Sequence, residues 1–80
     1  EEDRSPVLKA FGQAVRASRK AQGFSQEGFA HYCGLDRSYM GGVERGERNL
    51  SLYNVWRLAN GLGLPVADLV QDLPARKGKR

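Results

Sequence analysis

Arg37, Ser38 and Tyr39 follow directly on Asp36, a good helix-capping residue, so three side chains able to donate hydrogen bonds are set on the first turn of one short helix. Donors at a helix start of that kind match the acceptor edges that bases present in a major groove, and an arginine there can bind guanine through two parallel bonds. Arg45 and Arg48 extend the basic cluster beyond the same helix, although Glu44 and Glu47 lie among them. What matters for a polyanionic partner is this local distribution and not the net charge of +4, because four basic residues in the last five account for all of it and leave residues 1–75 neutral.

Such side chains must be held by a rigid hairpin, and the segment from Gln26 to Arg45 has the spacing for one. Ala30 falls where the first helix of the pair comes closest to the second, a place where close packing tolerates little excess volume. Gly34 follows the predicted helix Gln26–Cys33 at the point where a left-handed residue ends a helix with little strain. Leu35 plugs the turn, Asp36 caps the second helix, and Met40 and Val43 face Phe29 and Cys33 across the pair. Spacing alone also fits a helical hairpin that binds no DNA. Two glycines, Gly41 and Gly42, interrupt the second helix at a cost of about 0.5–1 kcal/mol each. Either the backbone approaches DNA closely there or the helix is soft before binding, while Gly28 has no evident role.

The remaining elements follow from helical periodicity. Ser5 and Pro6 read as a cap and first turn for a helix carrying Leu8, Phe11, Val15 and Ser18 on one face and stopping at Gly23. Ser25 caps the helix that opens with Gln26 and Glu27. Gly46 ends the reading helix, and Ser51 caps a fourth helix with a buried stripe of Leu52, Val55, Leu58, Ala59 and Leu62 before Gly63. A short fifth helix runs from Val66 to about Gln71, and Pro74 closes the folded region. No alternating β-branched run is present. The expected fold is all-α: a compact five-helix bundle at residues 5–73, followed by a basic flexible tail at 74–80.

The same composition points away from several function classes. No apolar run approaches the ~20 residues that span a bilayer, and the acidic start lacks a signal-peptide core, so a cytoplasmic location and no membrane partner are expected. A single cysteine with a single histidine makes neither a disulfide nor a zinc set; Cys33 reads as a buried small hydrophobe and His31 as a surface or satisfied side chain. No catalytic set, metal spacing or phosphate-cradling loop stands out, so no enzyme activity, cofactor or metal is expected.

Three runs carry a wider resemblance: "RKAQGFSQEGFA", "GLDRSYMGGVERGERNLSL" and "LANGLGLPVADL". From Phe11 to Leu69 the chain resembles the Cro and phage-repressor type of helix-turn-helix protein, and within it the controller proteins of restriction–modification systems. The resemblance implies a lambda-repressor-like DNA-binding domain in which Arg37 and Ser38 contact bases, with Tyr39 beside them at the backbone or an adjacent step. It assigns Gln26, Arg45 and Arg48 to phosphate, and a helix N-terminus at Gln26 suits an anion. It further implies an ion pair between Arg19 and Glu44, the alternative being a solvated Glu44 and an Arg19 that meets phosphate.

One reading helix covers few base pairs, so a symmetric dimer reading half-sites ~34 Å apart is expected. Trp56, Val66, Leu69, Val70 and Leu73 exceed what so small a core can cover and lie where related controller proteins dimerise; alternatively Trp56 closes the monomer core. The implied function is transcriptional control, by activation or repression, from a palindromic operator. RNA polymerase is a further candidate partner, and no small-molecule effector is expected. An antitoxin whose main partner is a toxin protein is the alternative.

Overall fold

The computed structural model describes residues 4–75; Arg76, Lys77, Lys79 and Arg80, the basic part of the expected tail, lie outside the described residues. Five helices follow in order: α1 (Arg4–Ala21), α2 (Gln26–Cys33), α3 (Arg37–Glu44), α4 (Leu52–Leu62) and α5 (Val66–Val70). α1 begins one residue before the expected cap at Ser5, which places Pro6 still within the first turn, where its missing N–H is one of the donors a helix leaves unpaired.

Local chemistry accounts for the helix ends. Ser25 accepts from the Gly28 N–H, Asp36 from the Ser38 and Tyr39 N–H groups, and Ser51 from the Asn54 N–H. The Ser25 hydroxyl also explains Gly28, because a β-carbon there would lie 2.9 Å from Oγ and crowd the cap. Gly34 takes φ +72° and ends α2, with its own N–H and that of Leu35 closing on His31 and Ala30.

Phe11, Val15, Phe29, Ala30, Met40, Val43, Leu58, Ala59, Leu62 and Leu69 form the core. Leu52 corrects the expected α4 stripe: it is 78% exposed as the first residue of α4, and the fully buried part of the stripe is Leu58, Ala59 and Leu62 further along the helix.

Gly12 sets how closely α1 crosses α3. A β-carbon on it would stand 2.3 Å from the Val43 carbonyl oxygen and 2.8 Å from that of Glu44, both backbone atoms that cannot swing aside. Gly12→Ala should therefore destabilise the chain by overpacking, about 1–3 kcal/mol, against a helix-propensity gain of at most ~1 kcal/mol. A lower urea midpoint is the expected result; a raised midpoint would show that the two helices separate easily.

Candidate nucleic-acid interface

α3 presents its N-terminal turn to solvent. Arg37 is its first residue, is exposed, and its guanidinium makes no hydrogen bond among the described residues. A cation at this end opposes the helix dipole, a cost that the Asp36 carboxylate at the cap only offsets, so helix stability does not explain the choice of arginine. Asp36 beside it is engaged as the cap: bonds from the Ser38 hydroxyl and from the Ser38 and Tyr39 N–H groups hold its carboxyl below the ordinary aspartate range. Ser38 thus spends its hydrogen on Asp36 and keeps its oxygen lone pairs for an external donor.

Around this turn lies an open groove of about 500 Å³ lined by Gln26, Asp36, Arg37, Ser38, Gly41 and Arg45. Gln26 enters it from the first turn of α2 and Arg45 from the end of α3. The Gln26 side chain is fixed from behind, its Nε2 donating to Glu44 Oε1 at 3.0 Å. Glu44 in turn accepts from Arg19, Nε to Oε2 at 2.6 Å and Nη2 to Oε1 at 3.0 Å, while Arg19 Nη1 reaches the Phe24 carbonyl at 2.8 Å. Both charged residues are more than nine-tenths buried. The pair joins α1 to α3, and Gln26 adds α2, a third link that sequence spacing did not reveal.

Arg45 and Arg48 are exposed but differently engaged. Arg45 forms a two-point pair with Glu47, 3.1 Å at each bond, and this pairing holds the Glu47 carboxyl below its ordinary range. Such a solvent-exposed pair is readily exchanged for a phosphate. Arg48 instead lies over the Tyr39 ring, 5.4 Å from its centroid.

The glycine pair has a physical role that neither sequence explanation anticipated. A β-carbon on Gly41 would lie 3.0 Å from Arg45 Nη1 and 3.4 Å from Gln26 Oε1; one on Gly42 would lie 3.0 Å from Arg48 Nε and 3.1 Å from its Cγ. Each bare position makes room for an arginine side chain lying across a regular helix. Gly42→Ala should consequently leave stability unchanged or slightly raised, through the better helix propensity of alanine, while weakening duplex binding by displacing Arg48. Thermal melting and duplex titration of the same variant separate the two effects; unchanged affinity would show that Arg48 needs no such seat.

Tyr39, expected beside Arg37 and Ser38 at the DNA backbone or an adjacent base step, is engaged within the fold. It is half-buried, and its hydroxyl accepts from Asn54 Nδ2 at 3.0 Å, which turns its polar end toward α4. On the same helix Arg57 Nη2 donates to the carbonyls of Cys33 and Gly34, at 3.0 and 2.8 Å, satisfying the C-terminal end of α2 with a cation where the helix dipole favours one. Neither Asn54 nor Arg57 stands out in the sequence, since polar residues on an amphipathic helix read as solvated. Cys33, close by, is partly buried, and burial raises its thiol pKa more than Arg57 lowers it, so the group stays protonated.

The residues expected to join two copies do not form a uniform surface. Trp56 is 49% exposed, whereas Val66, Val70 and Leu73 pack in part against the core. Leu69 is a correction: at 1% exposure it belongs to the interior and ties α5 to the bundle, so it is not offered to a second chain. The exposed apolar surface of α4 instead includes Tyr53, whose ring stacks 6.1 Å from that of Trp56. No helix among the described residues is long and apolar enough to cross a membrane.

Residues 15–69 match the helix-turn-helix family. The chain is 39% identical over 64 residues to a control protein, C.MunI, from a Mycoplasma species, covering 79% of this chain and 86% of the relative. It is similar in structure to the restriction–modification controller protein C.AhdI of Aeromonas hydrophila, with 53% identity, a TM-score of 0.75, and coverage of 78% of this chain and 94% of that one. A further similar structure, at 28% identity and a TM-score of 0.74 over 81% of this chain and 86% of the other, is the controller protein C.Esp1396I, solved as a tetramer on its natural 35 base-pair operator.

Proposed function

The chain belongs to the helix-turn-helix family, and on that premise we propose that it is a sequence-specific, DNA-binding transcriptional regulator of the restriction–modification controller type. The observation that carries this reading is the N-terminal turn of α3: it is exposed, capped, and headed by an arginine that the fold does not use, beside a groove edged by Gln26 and Arg45.

Arg37 and Ser38 are assigned to base edges, Arg37 toward guanine. Gln26, Arg45 and Arg48 are assigned to phosphates on either side, with the N–H groups at the start of α2 assisting Gln26. Tyr39 supports Arg48 from beneath its guanidinium.

Two copies bind a palindromic operator, the α4–α5 side bringing them together through Trp56 and the partly exposed Val66, Val70 and Leu73. Association coupled to DNA binding makes occupancy steeper than linear in protein concentration, which suits a regulator that responds to its own abundance. The capture of C.Esp1396I as an oligomer on its operator supports this arrangement. No observation favours the antitoxin reading.

Selection from a randomised duplex library at near-physiological salt tests the proposal, salt being fixed because the phosphate contribution depends steeply on it. Enrichment of a two-fold symmetric site is expected. Weak, salt-sensitive binding with no enriched sequence would overturn it.

A further inference from the structure

We propose that Asn54, which lies on α4 outside the reading hairpin, is a positioning residue that holds Arg48 ready for phosphate, acting through the ring of Tyr39. The inference rests on the DNA-binding function proposed above.

A chain of contacts defines the role. The Asn54 backbone N–H donates to Ser51 Oγ at 3.1 Å, which fixes its place at the start of α4. Its side chain is oriented from one side by Arg57, whose Nη1 donates to Asn54 Oδ1 at 3.4 Å, so the amide nitrogen faces away and donates to the Tyr39 hydroxyl at 3.0 Å. The anchored ring is one wall of a slot for Arg48, with the guanidinium carbon 5.4 Å from its centroid. The other wall is Gly42, whose missing side chain leaves the space that Arg48 Nε and Cγ occupy.

This slot holds a cation with no direct carboxylate bond; the nearby Glu47 carboxylate feels the Arg48 charge but spends its hydrogen bonds on Arg45. Arg19 is bonded to Glu44 and Arg45 to Glu47, whereas Arg48 has no carboxylate hydrogen bond among the described residues and remains exposed. A long side chain ordered by an aromatic face and left with its donors open is suited to an external anion, because the entropy of ordering it is lost before the anion arrives. Asn54 touches no part of the groove at the start of α3, so its effect on DNA must pass through Tyr39 and Arg48.

The test uses the full chain, the duplex selected above, and the variants Asn54→Ala, Asn54→Asp, Arg48→Ala and the double variant Asn54→Ala with Arg48→Ala. Nuclear relaxation of Arg48 Nε in the free protein reports positioning without any DNA. Asn54→Ala should make that group markedly more mobile, leave the melting temperature nearly unchanged, and weaken binding about tenfold, to similar extents for specific and unrelated duplexes. Asn54→Asp can still accept a bond from the Tyr39 hydroxyl and should restore Arg48 order. Adding Asn54→Ala to Arg48→Ala should produce no further loss. Unchanged Arg48 mobility in Asn54→Ala would overturn the proposal, as would an undiminished effect of Asn54→Ala when Arg48 is absent. Failure of the unaltered chain to bind any duplex would instead overturn the DNA-binding function, while the relaxation measurement still judged the positioning role.

Discussion

Glu44→Ala should destabilise the chain by about 3–5 kcal/mol, the range for removing one partner of a buried ion pair, and a domain this small has only about 5–15 kcal/mol in total. The loss would come from what remains behind. Arg19 is 7% exposed and would keep only its bond to the Phe24 carbonyl, leaving a buried guanidinium without its counter-charge. Gln26 would lose the acceptor that fixes its amide. Urea denaturation measures the first effect, and a loss below about 1 kcal/mol would show that the site admits water freely.

The intact pair need not be strongly stabilising, because desolvating two charges offsets much of their attraction. Replacing both, Arg19→Met with Glu44→Leu, should therefore recover most of the stability lost by Glu44→Ala. It should not recover DNA affinity, since an apolar side chain at 44 gives Gln26 nothing to bond. Recovery of both properties together would mean that Glu44 acts only through folding and that Gln26 orients itself.

Much of this architecture is legible in the residues because it is set by local rules. Ser25, Asp36, Ser51, Gly34 and Gly63 announce helix ends by side-chain or backbone chemistry that operates within a few residues. Phe29, Met40 and Val43 reveal the hairpin through period alone. What escaped is what depends on distant partners. Gly12 in mid-helix reads as a propensity cost until the Val43 carbonyl is seen 2.3 Å from where its β-carbon would stand. Asn54 and Arg57 read as solvated residues until α4 is placed against the turn between α2 and α3. Leu52 and Leu69 show the same limit for burial: both fit apolar periodicity, but the first residue of a helix can stay exposed, and in the short α5 Leu69 is the residue taken fully into the core.

Arg37→Ala should produce the largest change in recognition: a loss of about 1–3 kcal/mol at each half-site, confined to one base position, with affinity for unrelated duplexes nearly unchanged. The fold gives no reason for a structural loss, because Arg37 is exposed and the capping bonds of α3 come from Asp36 to Ser38 and Tyr39. In a symmetric complex the two half-sites contribute together, so the effect on the full operator should be about 2–6 kcal/mol. Arg48→Ala serves as the contrast, since loss of a phosphate contact weakens all duplexes alike and reduces the salt dependence by about one unit per copy. Repeating the library selection with each variant resolves the two cases. Arg37→Ala should erase the preference at one position in each half of the site and retain the spacing; Arg48→Ala should retain every preference and lower the yield. If Arg37→Ala instead left the selected sequence intact and flattened the salt dependence, Arg37 would be a phosphate contact and base reading would have to come from Ser38 and its neighbours.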